Sequence, residues 1–98
     1  MTEIEIVRED AETGGRYVGR IAGCAGEAEL VFSKAGAELL VAEHTEVPDS
    51  MRGTGTGARL LARMVDDARR GGYAILARCT FVRAQAGRHP EWSDVLRT

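Results

Sequence analysis

The stretch VPDSMRGTGTGARLLARM, from Val47 to Met64, decides how this chain folds. Pro48, Asp49 and Ser50 break a preceding sheet pattern. From Gly55 to Arg70 the apolar residues Leu60, Leu61, Met64, Val65 and Ala68 fall on one helical face, while Arg59, Arg63, Asp66 and Arg70 take the other. Arg63 and Asp67 stand i,i+4, where opposite charges support a helix. Between the break and the helix lie Gly53, Gly55 and Gly57 in alternation. A corner alone rarely needs three. At the mouth of a helix, glycines let backbone approach a ligand and aim several N–H groups at one spot. The helix N-terminus adds partial positive charge there, so the place suits a phosphate. Thr54 and Thr56 can add hydroxyl donors, and Arg52 a charged one.

Outward from this stretch the pattern is sheet-like. Glu3–Val7 alternates polar and apolar residues as a strand does, and Asp10–Gly15 is a turn. Arg16–Gly23 and Glu27–Ser33 flank Cys24-Ala25-Gly26 as a hairpin. Lys34–Gly36 turns into Ala37–Val47, which is more continuously apolar, as in a central strand covered on both faces. Downstream, Gly71-Gly72 supplies a left-handed stop, Tyr73–Ala77 a buried strand and Phe81–Arg88 a short helix. His89–Leu96 reads as a last helical turn with Trp92 and Leu96 packed inward. The order β-β-β-β-α-β-α predicts an α/β domain with a mixed five-stranded sheet, antiparallel first and parallel across the long helix, between strands 4 and 5.

The 98 residues, 44% hydrophobic and 29% charged, describe one domain spanning 1–98. No apolar run approaches the roughly 20 residues of a membrane span, and the acidic, alternating start is unlike a signal or transit peptide; a cytoplasmic protein is expected, with no membrane partner. Cys24 and Cys79 form no CxxC pair and the histidines number two, His44 and His89, so neither a metal site nor a disulfide framework is expected. Residues 1–50 carry 11 acidic and 4 basic side chains; residues 51–98 carry 4 and 9. The second half therefore suits an anionic ligand, but without interleaved aromatics it does not suggest nucleic acid.

Two familiar phosphate motifs fail. GTGTGA satisfies G-x-G-x-x-A, yet no acidic residue follows about 20 positions on, where Gly72-Tyr73-Ala74-Ile75 stands. No Lys-Ser or Lys-Thr follows the glycines either, so this is not a nucleoside-triphosphate loop. Arg52–Gly57, R-G-T-G-T-G, resembles instead the [QR]-x-x-G-x-[GA] signature of the GNAT acetyltransferase superfamily. His44-Thr45-Glu46-Val47 followed by Arg52-Gly53 resembles the HTEV…RG segment of a small, single-domain GNAT-like subfamily. Cys79-Thr80-Phe81-Val82 resembles its C-P-F-V and His89-Pro90-Glu91 its HPE, so the likeness runs from about residue 16 onward.

That resemblance implies a minimal GNAT-like fold in which parallel strands 4 and 5 splay apart and take the pantetheine arm of acetyl-coenzyme A between them. Gly53, Thr54, Gly55, Thr56 and Gly57, with Arg52, would hold the pyrophosphate, and backbone near Glu46 and Val47 would pair with the pantetheine amides. An acetyl group would pass to an amine by direct attack. The tyrosine that usually protonates the departing thiolate is missing from Phe81–Arg88. Cys79, between a strand end and a helix start, can take that place as acid or acyl carrier, or be a small buried hydrophobe. His44 is favoured as general base, with Glu43 and Glu46 as competitors; strand alternation lets only one of the pairs Glu43/Thr45 and His44/Glu46 face the thioester. Thr80 replaces the subfamily's proline, and Gln85 stands where relatives often carry an aromatic that shapes the acceptor pocket. The helices that close over the acceptor in larger relatives are absent. An open acceptor side, with Glu27, Glu29 and Glu38 to attract cations, suits a peptide, a protein lysine or a polyamine. The alternative is a non-catalytic coenzyme A or acyl-coenzyme A binding module, a sensor or partner subunit.

Overall fold

A computed structural model describes residues 3–98; Met1 and Thr2, which open the acidic N-terminal stretch, lie outside the described residues. Strands β1 (Glu5–Asp10), β2 (Gly14–Arg20), β3 (Ala28–Gly36) and β4 (Leu39–Glu46) run antiparallel in turn. Helix α1 (Thr56–Gly71) crosses to β5 (Ala74–Ala77), which lies parallel to β4, and helix α2 (Thr80–Arg88) leads to β6 (Leu96–Arg97), parallel to β5. Sheet order follows chain order. The α/β class and the mixed sheet are as expected, with a sixth strand where five were predicted. The segment read as a closing helical turn coils only over Pro90–Trp92. Val95 and Leu96 are buried, and their backbone must find partners, which the open edge of β5 provides; Ile75 N–H donates to the Val95 carbonyl at 2.7 Å.

The first strand starts two residues later than its alternation suggests. Its register, Glu5↔Arg20 to Asp10↔Gly15, draws Asp10 into the strand and shortens the turn to Ala11–Thr13. One sheet face carries Tyr17, Leu30, Phe32, Leu40, Ala42 and Ile75, against which α1 lays Leu60, Leu61, Met64, Val65 and Ala68, none more than 1% exposed. Burying each such aliphatic side chain contributes about 1.5–3 kcal/mol. Val82 of α2 joins the same cluster. The expectation that β4 is covered on both faces holds over Leu40–Ala42, all buried, and fails from Glu43 onward; among the described residues both helices pack on one face. The other is dressed by ion pairs, with Arg16 bonding Glu9, Glu27 and Glu29, and Val18 and Val41 on that face are buried.

A polar knot ties the sheet edge to α1. The Tyr17 hydroxyl donates to Asp67 at 2.6 Å, while Arg8 donates to the hydroxyls of Tyr17 (3.0 Å) and Tyr73 (2.8 Å). The anticipated Arg63–Asp67 pair is present at 3.3 Å as part of this knot. Gly72, at φ +73°, ends α1 with its N–H on the Ala68 carbonyl.

The feature that positions the site is a bulge. Val31 pairs with His44 and Phe32 with Ala42, leaving Glu43 as the extra residue on β4. A bulge bends its strand. β4 accordingly follows β5 only from Leu39↔Ala74 to Ala42↔Ala77 and then leaves it. The Ala42 carbonyl accepts both Arg78 N–H and Cys79 N–H at 3.0 Å, the last link before the strands part.

Candidate active site

The glycine loop lies just past the end of β4. Gly53 (φ +79°) and Gly55 (φ +77°) occupy the left-handed region that disfavours other residues, with open space where a Cβ would stand. Gly57 is helical and serves differently: a Cβ there would sit 3.0 Å from Phe81 Cζ and 3.4 Å from Val47 Cγ2. Two glycines thus shape the loop and the third lets α2 approach. Gly55 is the N-cap of α1 and offers no side-chain acceptor, which leaves the first-turn N–H groups at Thr56, Gly57 and Ala58 for a ligand. The threonine hydroxyls brace the loop instead of facing outward. Thr54 Oγ1 and Thr56 Oγ1 bond each other at 2.6 Å, Thr54 also bonds the Met51 carbonyl, and Thr56 is 1% exposed. Arg52 is 79% exposed and pairs with Asp49 at 3.0 Å.

Between this loop and α2 opens a cavity of about 610 Å³. Thr45, Val47 and Met51 line one side, and Phe81, Gln85 and Arg88, spaced i, i+4, i+7 along α2, line the other. No aspartate or glutamate lines it, although the chain has 15. Gln85 therefore faces the glycine loop rather than an acceptor pocket, because the two helices share one sheet face.

Thr45 bridges this cavity to Cys79. The Cys79 thiol, at the N-cap of α2, donates to Thr45 Oγ1 at 3.5 Å. Burial pushes the thiol up, but the Thr45 hydroxyl and the backbone N–H groups of Phe81 and Val82 outweigh it and bring its pKa below the ordinary thiol value. His44 stands on the opposite face of β4, 59% exposed, its Nε2 3.5 Å from Glu46 Oε2. The bulge sends Glu43 to that face too, where it accepts a bond from Ser33 Oγ at 2.6 Å. His44 and Cys79 thus flank the parting strands from opposite sides of the sheet. Glu46 pairs with Glu29 of β3 and, like Val47, lies past the last β4–β5 pair.

Glu29, His44 and Glu46 bring donor atoms within 4.8 Å of one another, the arrangement closest to a metal set among the described residues, but they are open to water and Arg16 holds Glu29. Of the three glutamates expected to attract cations, Glu29 faces this side, Glu27 is engaged by Arg16 and Arg20, and Glu38 stands at the far end of β4. Glu38 immediately precedes β4, eight residues from Glu46. Thr45 sits within the HTEV segment, but alternation from Leu40 and Ala42 would turn it away from the core, and only the bulge at Glu43 brings it to that side. Arg88 carries no motif and is marked by helical spacing from Phe81.

A glycine loop at a helix mouth, opening beside two parting parallel strands, marks this α/β domain. The chain belongs to the GCN5-related N-acetyltransferase family, whose model matches residues 16–95. Membership places it among acetyltransferases. The NMR structure of a GCN5-like N-acetyltransferase candidate from Staphylococcus aureus has a similar fold, with a TM-score of 0.68 and 24% identity over 92% of this chain and 86% of that one. No curated protein matches the chain.

Proposed function

We propose that the protein transfers an acetyl group from acetyl-coenzyme A to a cationic primary amine. The observation that carries this reading is the uncapped α1 N-terminus facing a carboxylate-free cavity that leads to the gap between β4 and β5. The first-turn N–H groups, with Gly53, Thr54, Gly55, Thr56, Gly57 and Arg52 shaping and charging the loop, would hold the pyrophosphate. The free backbone edge at Glu46 and Val47 would hold the pantetheine arm. Acetyl-coenzyme A supplies an activated acyl group when bound.

Three proton transfers are then needed, two from the amine and one to the departing thiolate. The amine arrives protonated and must lose a proton to attack; His44, on the helix-free face, accepts it. Glu29 and Glu46 beside it draw a cation toward that face. On the opposite side, Cys79 donates its proton as the coenzyme thiolate leaves, and the Thr45 hydroxyl turns to stabilise the cysteine thiolate. His44 passes the amine's first proton to water, then takes the second ammonium proton as the tetrahedral intermediate collapses and releases it to water in turn. A solvent proton restores Cys79, so one proton is released net. Among the described residues no helix covers the acceptor face, which supports an extended or flexible acceptor such as a polyamine or a lysine side chain.

Calorimetric titration with acetyl-coenzyme A, beside Gly55→Glu, tests the cradle. Binding by the wild type and loss in the variant is expected; no binding at millimolar ligand refutes the reading. Transfer assays with spermidine and a lysine peptide follow. Binding without turnover on any amine would mean a sensor instead of an enzyme.

A further inference from the structure

Most cations of this chain are neutralised by neighbours. Arg8, Arg16, Arg20, Lys34, Arg52, Arg63, Arg69, Arg70 and Arg78 each lie within 4.0 Å of a carboxylate. Among the described residues Arg59, Arg83, Arg88 and Arg97 do not. Of these four, Arg88 lines the cavity beside the glycine loop. It shares a face of α2 with Phe81, whose ring meets Gly57 at the loop, and seven residues of helix set it about 10 Å further along. His89 follows it at the cavity's end, fixed by a 2.8 Å contact of Nδ1 with Glu91 and stacked on Trp92 with centroids 4.0 Å apart. A cation in the last turn also complements the helix dipole. That role does not require a position on a cavity wall.

We propose that Arg88 binds the ribose 3′-phosphate of coenzyme A, so that the protein selects coenzyme A over its 3′-dephospho form. The inference rests on the reading of the cavity as the coenzyme site. The loop would take the pyrophosphate at one end of the cavity, and a second, dianionic phosphate requires a second donor at a distance. Arg88 is the free guanidinium placed for it, and a guanidinium meets a phosphate with two parallel N–H donors. The site thus separates the two anionic parts of the ligand between a loop and a helix end.

The experiment is a ligand-by-residue cycle by calorimetry: coenzyme A and 3′-dephospho-coenzyme A, each against the wild type, Arg88→Gln and Arg83→Gln. Arg83 is also free of carboxylates but lines a different hollow, toward Trp92, so it controls for lost net charge. The wild type should prefer coenzyme A by about 10- to 100-fold, as charge-assisted bonds to phosphate imply. Arg88→Gln should erase that preference while binding the dephospho form as the wild type does, and Arg83→Gln should keep it. Equal affinity of the wild type for both ligands overturns the proposal, as does a preference that survives Arg88→Gln. Failure of both ligands to bind the wild type would overturn the coenzyme site itself, a separate and recognisable result.

Discussion

Replacing Gly55 by alanine tests the loop with the least chemical change. Its φ of +77° lies where a Cβ strains the backbone, and no atom within 4 Å would meet that Cβ, so strain is the whole direct effect. The left-handed conformation costs a non-glycine residue roughly 1–2 kcal/mol, of which reduced freedom of the unfolded chain returns about 0.4–1. The net loss is about 1 kcal/mol, which lowers Tm by roughly 4–8 °C in a domain of this size. Gly72, at φ +73° with equally open space, provides the matched control at the other end of α1. Gly72→Ala should lose a similar Tm in thermal unfolding followed by circular dichroism. The two variants should separate in ligand binding. Relief of strain at Gly55 rotates the peptide that starts α1 and turns its N–H groups from the cavity, so acetyl-coenzyme A affinity should fall at least tenfold, about 1.4 kcal/mol. Gly72→Ala should bind as the wild type does. Equal affinities for the two variants, or a Gly55→Ala protein as stable as the wild type, would refute the reasoning.

Further outcomes are expected at Cys79, at Tyr17 and Asp67, and at the Glu29/Glu46 pair. In a Cys24→Ser background, iodoacetamide should modify Cys79 with a pH midpoint below that of an ordinary cysteine, and Thr45→Val should move the midpoint up; Cys79→Ala should lower kcat by about 100-fold or more with coenzyme A binding retained. Tyr17→Phe removes the shortest of three donors to the half-buried Asp67 and should destabilise by about 1 kcal/mol in urea unfolding. Asp67 has its pKa lowered in the folded state, burial being outweighed by the Tyr17, Arg63 and Arg8 donors. Its contribution is therefore present above the unfolded value of about 3.9 and lost as pH falls below it through the folded value; Asp67→Asn should flatten stability over that acid range. Neutralising Glu29 and Glu46 together to glutamine should raise KM for spermidine, most at low salt, and leave acetyl-coenzyme A affinity unchanged.

Local chemistry was sufficient for much of this protein. The apolar spacing from Leu60 to Ala68 defined α1 and its buried face, the glycines marked its uncapped mouth, and the HTEV, CTFV and HPE segments carried the family resemblance. Each of these signals is confined to a short stretch, where periodicity and backbone preference act directly. Tertiary structure decided what depends on partners distant in sequence. Leu96 extends because β5 has an open edge, the second half of β4 is open on one face because both helices pack on the other, and the Glu43 bulge turns three successive residues to faces that simple alternation misassigns. His44 and Cys79 consequently stand on opposite sides of the sheet, and Thr45, not His44, touches the thiol. Whether a side chain meets a cavity or water is set by which face the crossover helices cover, and a chain has no record of that until its strands have paired.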